Sequence, residues 1–379
     1  MLVLDPPAAR SAGVTRRSLL RGVGYTAGVA LLAACGSERP PAAGAGGITV
    51  TDQRGQRVVL DRPATRIVTI VIPAASLFVA LDSGVSRLVG VNSSAAQAIR
   101  EGILGEIFPD ASRIPGDVAD QSFAPNVESI VGLNPDVVIQ WGDRGEEIIA
   151  PLRNAGLTVV GLNYGTQADL ETWISLFGEL IGKPERASLL VARMHQRLDA
   201  LRTAVAAPGL GPRPKILYFQ QMRGGLKIGG HGSYNDFYIN LVGGTNSASD
   251  LTSQAAVDVE QVVAWDPDIV LVGNFDAATP EQDVYGVPAW QGMSAVRHRR
   301  VYKIPLGGYR WDPPCQESPL MWRWLHGIAY PGAGGSSLRA EMRDDYQFLY
   351  QHTLTDGQID QILRTDLNAA SADYRQFSV

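Results

Sequence analysis

Cysteine is nearly absent: the 379 residues include two, Cys35 and Cys315, so no disulfide framework is expected to hold the fold. Histidine is scarce too. His195, His231, His298, His326 and His352 are scattered, without H-E-x-x-H or paired-ligand spacing, which gives no zinc site of the hydrolytic kind. A G-x-S-x-G elbow is missing, so a serine hydrolase is not supported. The glycine-rich stretches Gly224–Gly225 and Gly229–Gly232 contain no G-x-x-x-x-G-K-[ST], and a nucleotide-phosphate loop is discounted. Charged residues are only 19% and the formal net charge is −5, which gives no general reason to expect nucleic-acid binding. The most apolar stretch near the start, Gly22 to Ala34, is about half the length a permanent membrane span needs. No catalytic constellation assembles, and no enzyme is expected.

What is present is an internal repeat. Val127-Glu-Ser-Ile-Val-Gly-Leu-Asn-Pro-Asp-Val-Val-Ile139 is matched by Val259-Glu-Gln-Val-Val-Ala-Trp-Asp-Pro-Asp-Ile-Val-Leu271. Glu128 matches Glu260 and Pro135 matches Pro267, at a constant offset of 132 residues. Each copy reads as a short helix, a turn at the Pro-Asp pair and a buried parallel strand. Between the copies lies PERASLLVARMHQRLDALRTAVA, about 184–206, with Leu190, Met194, Leu198 and Leu201 at helical spacing. Pro184 suits its first turn, and Pro208-Gly209 stops it. A helix of roughly 23 residues is about 35 Å long, enough to join two lobes. The expected architecture is α/β: two Rossmann-like lobes with central parallel sheets, joined by one long helix.

The chain then divides as follows. Residues 1–34 read as an export signal: Thr15-Arg16-Arg17-Ser18-Leu19-Leu20-Arg21 resembles a twin-arginine signal, and Leu32-Ala33-Ala34-Cys35 resembles a bacterial lipobox, which would make Cys35 the acylated N-terminus. Residues 35–47 are a Pro/Ala/Gly tether. The N-terminal lobe covers 48–166 and opens with a strand pair turned at Arg54-Gly55; its first buried strand is Arg66 to Ile72. A helical segment covers 167–207, and the C-terminal lobe with its polar tail helices covers 208–379.

The opening TVTDQRGQRVVLDRPATRIVTI, the VESIVGLNPDVVI segment and its second copy resemble the substrate-binding proteins of ABC importers for ferric siderophores, haem and cobalamin. The likeness runs from about Ile48 to Pro331. It implies the class III periplasmic binding fold, with ligand in the cleft between two lobes, and a monomer that is not an enzyme. It also implies that Glu128 and Glu260 each dock on one subunit of a membrane permease dimer served by an ATPase. Alternatively, each glutamate only favours the N-terminus of its own short helix.

Ligands of open α/β sheets sit beyond the carboxyl ends of the strands, so strand-exit loops supply the candidates. Trp141 and Arg144 follow the first repeat's strand, and Tyr164 follows the next. Trp141 packing in its lobe and Arg144 as a solvated charge is the competing reading. The resemblance implies a hairpin after Lys215–Gln220 whose tip faces the cleft, making Met222 and Arg223 candidates. Tyr309, Arg310 and Trp311 lie in a loop stiffened by Pro313 and Pro314, which offers apolar faces and a cation at little entropic cost; alternatively Trp311 caps the core and Arg310 pairs with Asp312. Cys315 reads as a small buried residue. Aromatic and arginine side chains suit an anionic chelate better than a bare cation. An iron chelate, a ferric siderophore first, is the expected ligand. Haem, held by Tyr164, Tyr309 or Met222, cobalamin or an oxyanion such as molybdate are the alternatives. No resident cofactor and no protein-bound metal are expected.

Overall fold

A computed structural model describes residues 47–332 and 338–378. The export signal, Cys35 and nearly all of the tether lie outside the described residues, as does most of the glycine segment after Pro331.

Strands β1 (Ile48–Thr51) and β2 (Arg57–Leu60) form an antiparallel hairpin. Gly55 takes its turn at φ 77°, where a side chain would be strained. The first main sheet holds β3 (Ile67–Thr69), β4 (Leu88–Val91), β5 (Val137–Trp141) and β6 (Val159–Leu162) in the order β4-β3-β5-β6, all parallel. The second holds β7 (Lys215–Gln221), β8 (Leu226–Gly229), β9 (Thr245–Asn246), β10 (Gln254–Val257), β11 (Ile269–Val272) and β12 (Val301–Lys303). Its order is β10-β8-β7-β11-β12, with β9 beside the start of β7. β7, β11 and β12 run parallel, while the β7–β8 hairpin and β10 are antiparallel. The glycine-rich stretch thus adds an antiparallel edge to the expected parallel sheet.

Side chains alternate across a strand, and here both faces are buried. On β7, Ile216 and Tyr218 join a core that extends through both halves of the molecule, while Leu217 and Phe219 join a second core with Trp290 and Met293. β11 divides the same way, Ile269 and Leu271 against Val270 and Val272. That explains why the second repeat reads as an unbroken apolar run rather than an alternating one.

The helix Pro184–Val205 buries Ala187, Leu190, Met194, Leu198 and Leu201. It packs against Gln167–Leu180 on one side and Ser318–Ala329 on the other. Its charged face is tied to the tail helix Leu338–Tyr350: Arg193 and Arg197 both reach Asp345, at 2.6 and 3.1 Å, and Arg186 lies over the Phe348 ring. The polar tail helices are therefore part of the joint between the halves. Helix Gln167–Leu180 starts at a capping box, Thr166 with Asp169, which fixes its first turn.

The repeat is visible in the backbone. Asn134 and Asp266 both adopt the left-handed conformation, at φ 45° and 42°, at the ends of their short helices. The next aspartates both clamp the strand beside them: Asp136 accepts from the Arg66 amide (2.9 Å) and Asp268 from the Lys215 amide (2.8 Å).

Candidate functional site: the cleft between the two sheets

All four strands of the first sheet point their carboxyl ends at one cleft. Ile72 and Pro73 follow β3, Asn92 to Ser94 follow β4, Trp141 ends β5, and Tyr164 follows β6. The order β4-β3-β5-β6 reverses direction between β3 and β5, the place where open α/β sheets leave a crevice. The opposite wall comes from the second sheet: Gln220 and Gln221 end β7, Phe275 follows β11, and Tyr309, Asp312 and Pro313 follow β12. The cleft has a volume of about 1040 Å³, at the upper end of the range for small-molecule sites.

The walls are aromatic and the rim is cationic. Trp141 is 2% exposed and meets Tyr164 edge-on at 5.5 Å and Trp173 at 5.9 Å. Above it, the Arg144 guanidinium stacks 4.6 Å from the Phe123 ring centre and 5.0 Å from that of Trp141. Arg144 is exposed, and so are two further lining cations, Arg100 and Lys227. None of the three makes a side-chain hydrogen bond or ion pair with another described residue. Three uncompensated positive charges around one cleft draw an anion.

The floor holds the single lining carboxylate, Asp312. It accepts from the Tyr238 hydroxyl at 3.0 Å, and also from the Tyr218 hydroxyl and the Asn235 amide. Burial pushes its pKa up to about 6, against the pull of those donors and of Arg310. Burial likewise pushes the phenols of Tyr164 and Tyr309 upward; Asp312 adds to the shift at Tyr164, and Arg310 opposes it at Tyr309.

The candidates named from sequence fall into two groups. Trp141, Arg144, Tyr164 and Tyr309 line the cleft. Arg310, Trp311, Met222 and Arg223 do not line it. Arg310 is 1% exposed. It donates to the Asn274 carbonyl (2.8 Å) and, across the lobes, to the Ser94 carbonyl (3.0 Å), with Phe275 under its guanidinium. It braces the two walls instead of reaching between them, and it makes no ion pair with Asp312 of the kind the alternative reading expected. Trp311 is fully buried and donates to Glu317 at 2.6 Å, in keeping with the alternative that it packs in the core. Met222 and Arg223 form the tip of the expected hairpin, but Asp276 ties down both their amides and Asp283 holds the Arg223 guanidinium at 2.9 Å. Gln221 and Lys227 present the hairpin to the cleft in their place. Cys315 is a buried free thiol beside Tyr309 and Ala98.

Arg100 and Lys227 escaped the reading of the sequence. Arg100 lies in the last turn of helix Ser93–Glu101 and Lys227 lies in an edge hairpin; neither has an aromatic neighbour in sequence to mark it.

Residues 118–306 match the model of the periplasmic binding protein family. A periplasmic solute binding protein from Veillonella parvula is 33% identical and superposes with a TM-score of 0.76, covering 85% of this chain and 98% of its own. The chain belongs to the periplasmic binding protein family. Its two halves, parallel sheets and joining helix are the class III form of that fold. Among curated sequences, a cobalamin-binding protein of Halobacterium salinarum is 29% identical over 214 residues, 53% of this chain and 57% of that protein. The match therefore spans little more than half of that relative's length. The molybdate-bound MolA protein of Haemophilus influenzae shares the fold at a TM-score of 0.71 and 22% identity, over 81% of this chain and 99% of that one. Within this family the fold is common, and the solutes named for its members differ in size and charge. The lining of each cleft has to carry the argument for its ligand.

Proposed function

We propose that this periplasmic binding protein is the non-enzymatic receptor of an ABC importer and captures a bulky, anionic metal chelate, a ferric siderophore first among them. The observation that carries the reading is the set of three unpaired cations, Arg100, Arg144 and Lys227, round a cleft of about 1040 Å³ with aromatic walls. A small oxyanion would leave most of that volume to water. Haem would need Tyr164 or Tyr309 as its iron ligand, since Met222 lies off the cleft. A corrinoid is the second reading, favoured by the amide side chains of Gln97, Gln121, Gln220, Gln221 and Gln254, which match neutral carboxamides. Delivery is to a permease dimer and its ATPase, with Glu128 and Glu260 as docking groups. Export through the twin-arginine-like signal and acylation at Cys35 would hold the receptor at the membrane face.

Titration of the protein with ferric siderophores, haem, cyanocobalamin and molybdate, read by tryptophan fluorescence, tests this. Trp141 in the cleft wall provides the signal. Saturable quenching by an anionic ferric chelate is expected, and Arg144→Ala should weaken it about tenfold by removing one desolvated charge contact. Equal affinity in the Arg144→Ala protein, or saturation by cyanocobalamin alone, would remove the anionic-chelate reading.

A further inference from the structure

Four large hydrophobic side chains are exposed among the described residues: Val59, Val131, Leu189 and Val263. Two of them are equivalent. Val131, 48% exposed, and Val263, 40% exposed, stand at the same place in the two copies of the repeat, three residues beyond Glu128 and Glu260. Residues three apart share a helix face, so each short helix, Val127–Gly132 and Val259–Trp265, presents a carboxylate beside an isopropyl group.

The two supports match. Asn126 and Asp258 cap the helices by accepting from the Ser129 amide (3.3 Å) and the Gln261 amide (2.8 Å). Asn134 and Asp266 end them in the left-handed conformation, and Asp136 and Asp268 fasten the following turn to the neighbouring strand. Glu128 and Glu260 are both exposed, and neither bonds to another described residue. Both helices are capped and stopped in the same way, and both leave a valine side chain exposed to water.

We propose that Val131 and Val263 are the apolar halves of two equivalent docking contacts for a two-fold-symmetric membrane partner. At each contact the partner offers a basic group for the glutamate and an apolar socket for the valine. The inference rests on the importer reading and adds a contact that charge alone does not supply. An exposed ion pair is worth little in water and is screened by salt. A valine buried beside it excludes water and contributes a term that salt does not screen. A pseudo-symmetric pair of patches on one chain is complementary to a partner with two-fold symmetry.

The test uses the full protein and the permease–ATPase complex reconstituted in phospholipid nanodiscs, with binding measured at low and high ionic strength. Val131→Ser and Val263→Ser should each weaken docking about fivefold, and together about twenty-five-fold, from half the burial of one valine apiece. The factor should be the same at both salt concentrations, with solute affinity and Tm unchanged. Glu128→Gln with Glu260→Gln should weaken docking at low salt and flatten its salt dependence. If the valine variants dock like the parent while the glutamate variants do not, the valine contact is overturned and the importer reading stands. If neither set changes docking, this face is not the docking face and both fall.

Discussion

Replacing Glu317 by alanine is expected to cost about 4 kcal/mol of unfolding free energy, read as a lower denaturant midpoint at an unchanged slope. Glu317 is 1% exposed and collects donors from the loop and from the tail helix Leu338–Tyr350. One oxygen accepts from Trp311 Nε1 (2.6 Å) and the Tyr346 hydroxyl (2.8 Å), the other from the Gly308 amide (3.0 Å) and the Tyr350 hydroxyl. Burial raises the pKa of its carboxyl, and these donors oppose the shift. Removing the acceptor leaves several buried donors without partners, each costing about 1–3 kcal/mol, against the relief of one buried charge. Glu317→Gln keeps the volume and one acceptor oxygen and should cost less than half as much. The loop held in this way carries Tyr309 to the cleft. Gly307 and Gly308 pass so close to the carboxylate and to Tyr346 and Tyr350 that a Cβ at either would collide with them. Solute affinity should therefore fall with stability in Glu317→Ala. An unchanged midpoint would show that the loop is held by its prolines alone.

That loop also shows where reading the sequence stopped. Two aromatics flanking an arginine before Pro313-Pro314 mark a rigid loop at the cleft, and Tyr309 does reach it. The partner that turns Trp311 inward is Glu317, a carboxylate just before the helix Ser318–Ala329, with Tyr346 and Tyr350 supplied by a distant tail helix. Arg310 turns inward because two backbone carbonyls, one from each lobe, are waiting for it. Such partners are set by tertiary approach and leave no local pattern. The repeat behaved differently. Its helix caps and left-handed stops are local devices, so both copies could be read directly, and with them the strands that aim Trp141 and Phe275 at the cleft. The connecting helix was legible for the same reason, its buried stripe being periodic in sequence.

The cleft floor leads to an expectation of the opposite sign. Asp312→Asn should stabilise the protein at pH 7 to 8, by about 1 kcal/mol net. The folded-state pKa of Asp312 is raised to about 6 from 3.8. Between those values the folded protein holds more protons than the unfolded chain, so the stabilising contribution is complete below the unfolded value. It is lost as pH rises through about 6. The full difference is at most about 3 kcal/mol, and part of the gain is lost because an amide offers the Tyr218 and Tyr238 hydroxyls and the Asn235 amide fewer acceptor sites than a carboxylate. The variant's stability should thus lose the decline that the parent shows between pH 4 and 6. Binding should follow the same charge. Ionised Asp312 opposes an anion that Arg100, Arg144 and Lys227 attract, so the parent's affinity for an anionic chelate should rise as pH falls through about 6. Asp312→Asn should bind severalfold more tightly at pH 7.5 and show a flat profile from pH 5 to 7 in the same fluorescence titration. Weaker binding by the variant at every pH would instead make Asp312 a direct acceptor for donor groups of the solute. The solute would then be one that brings hydroxyls or amides, not only negative charge, to the floor of the cleft.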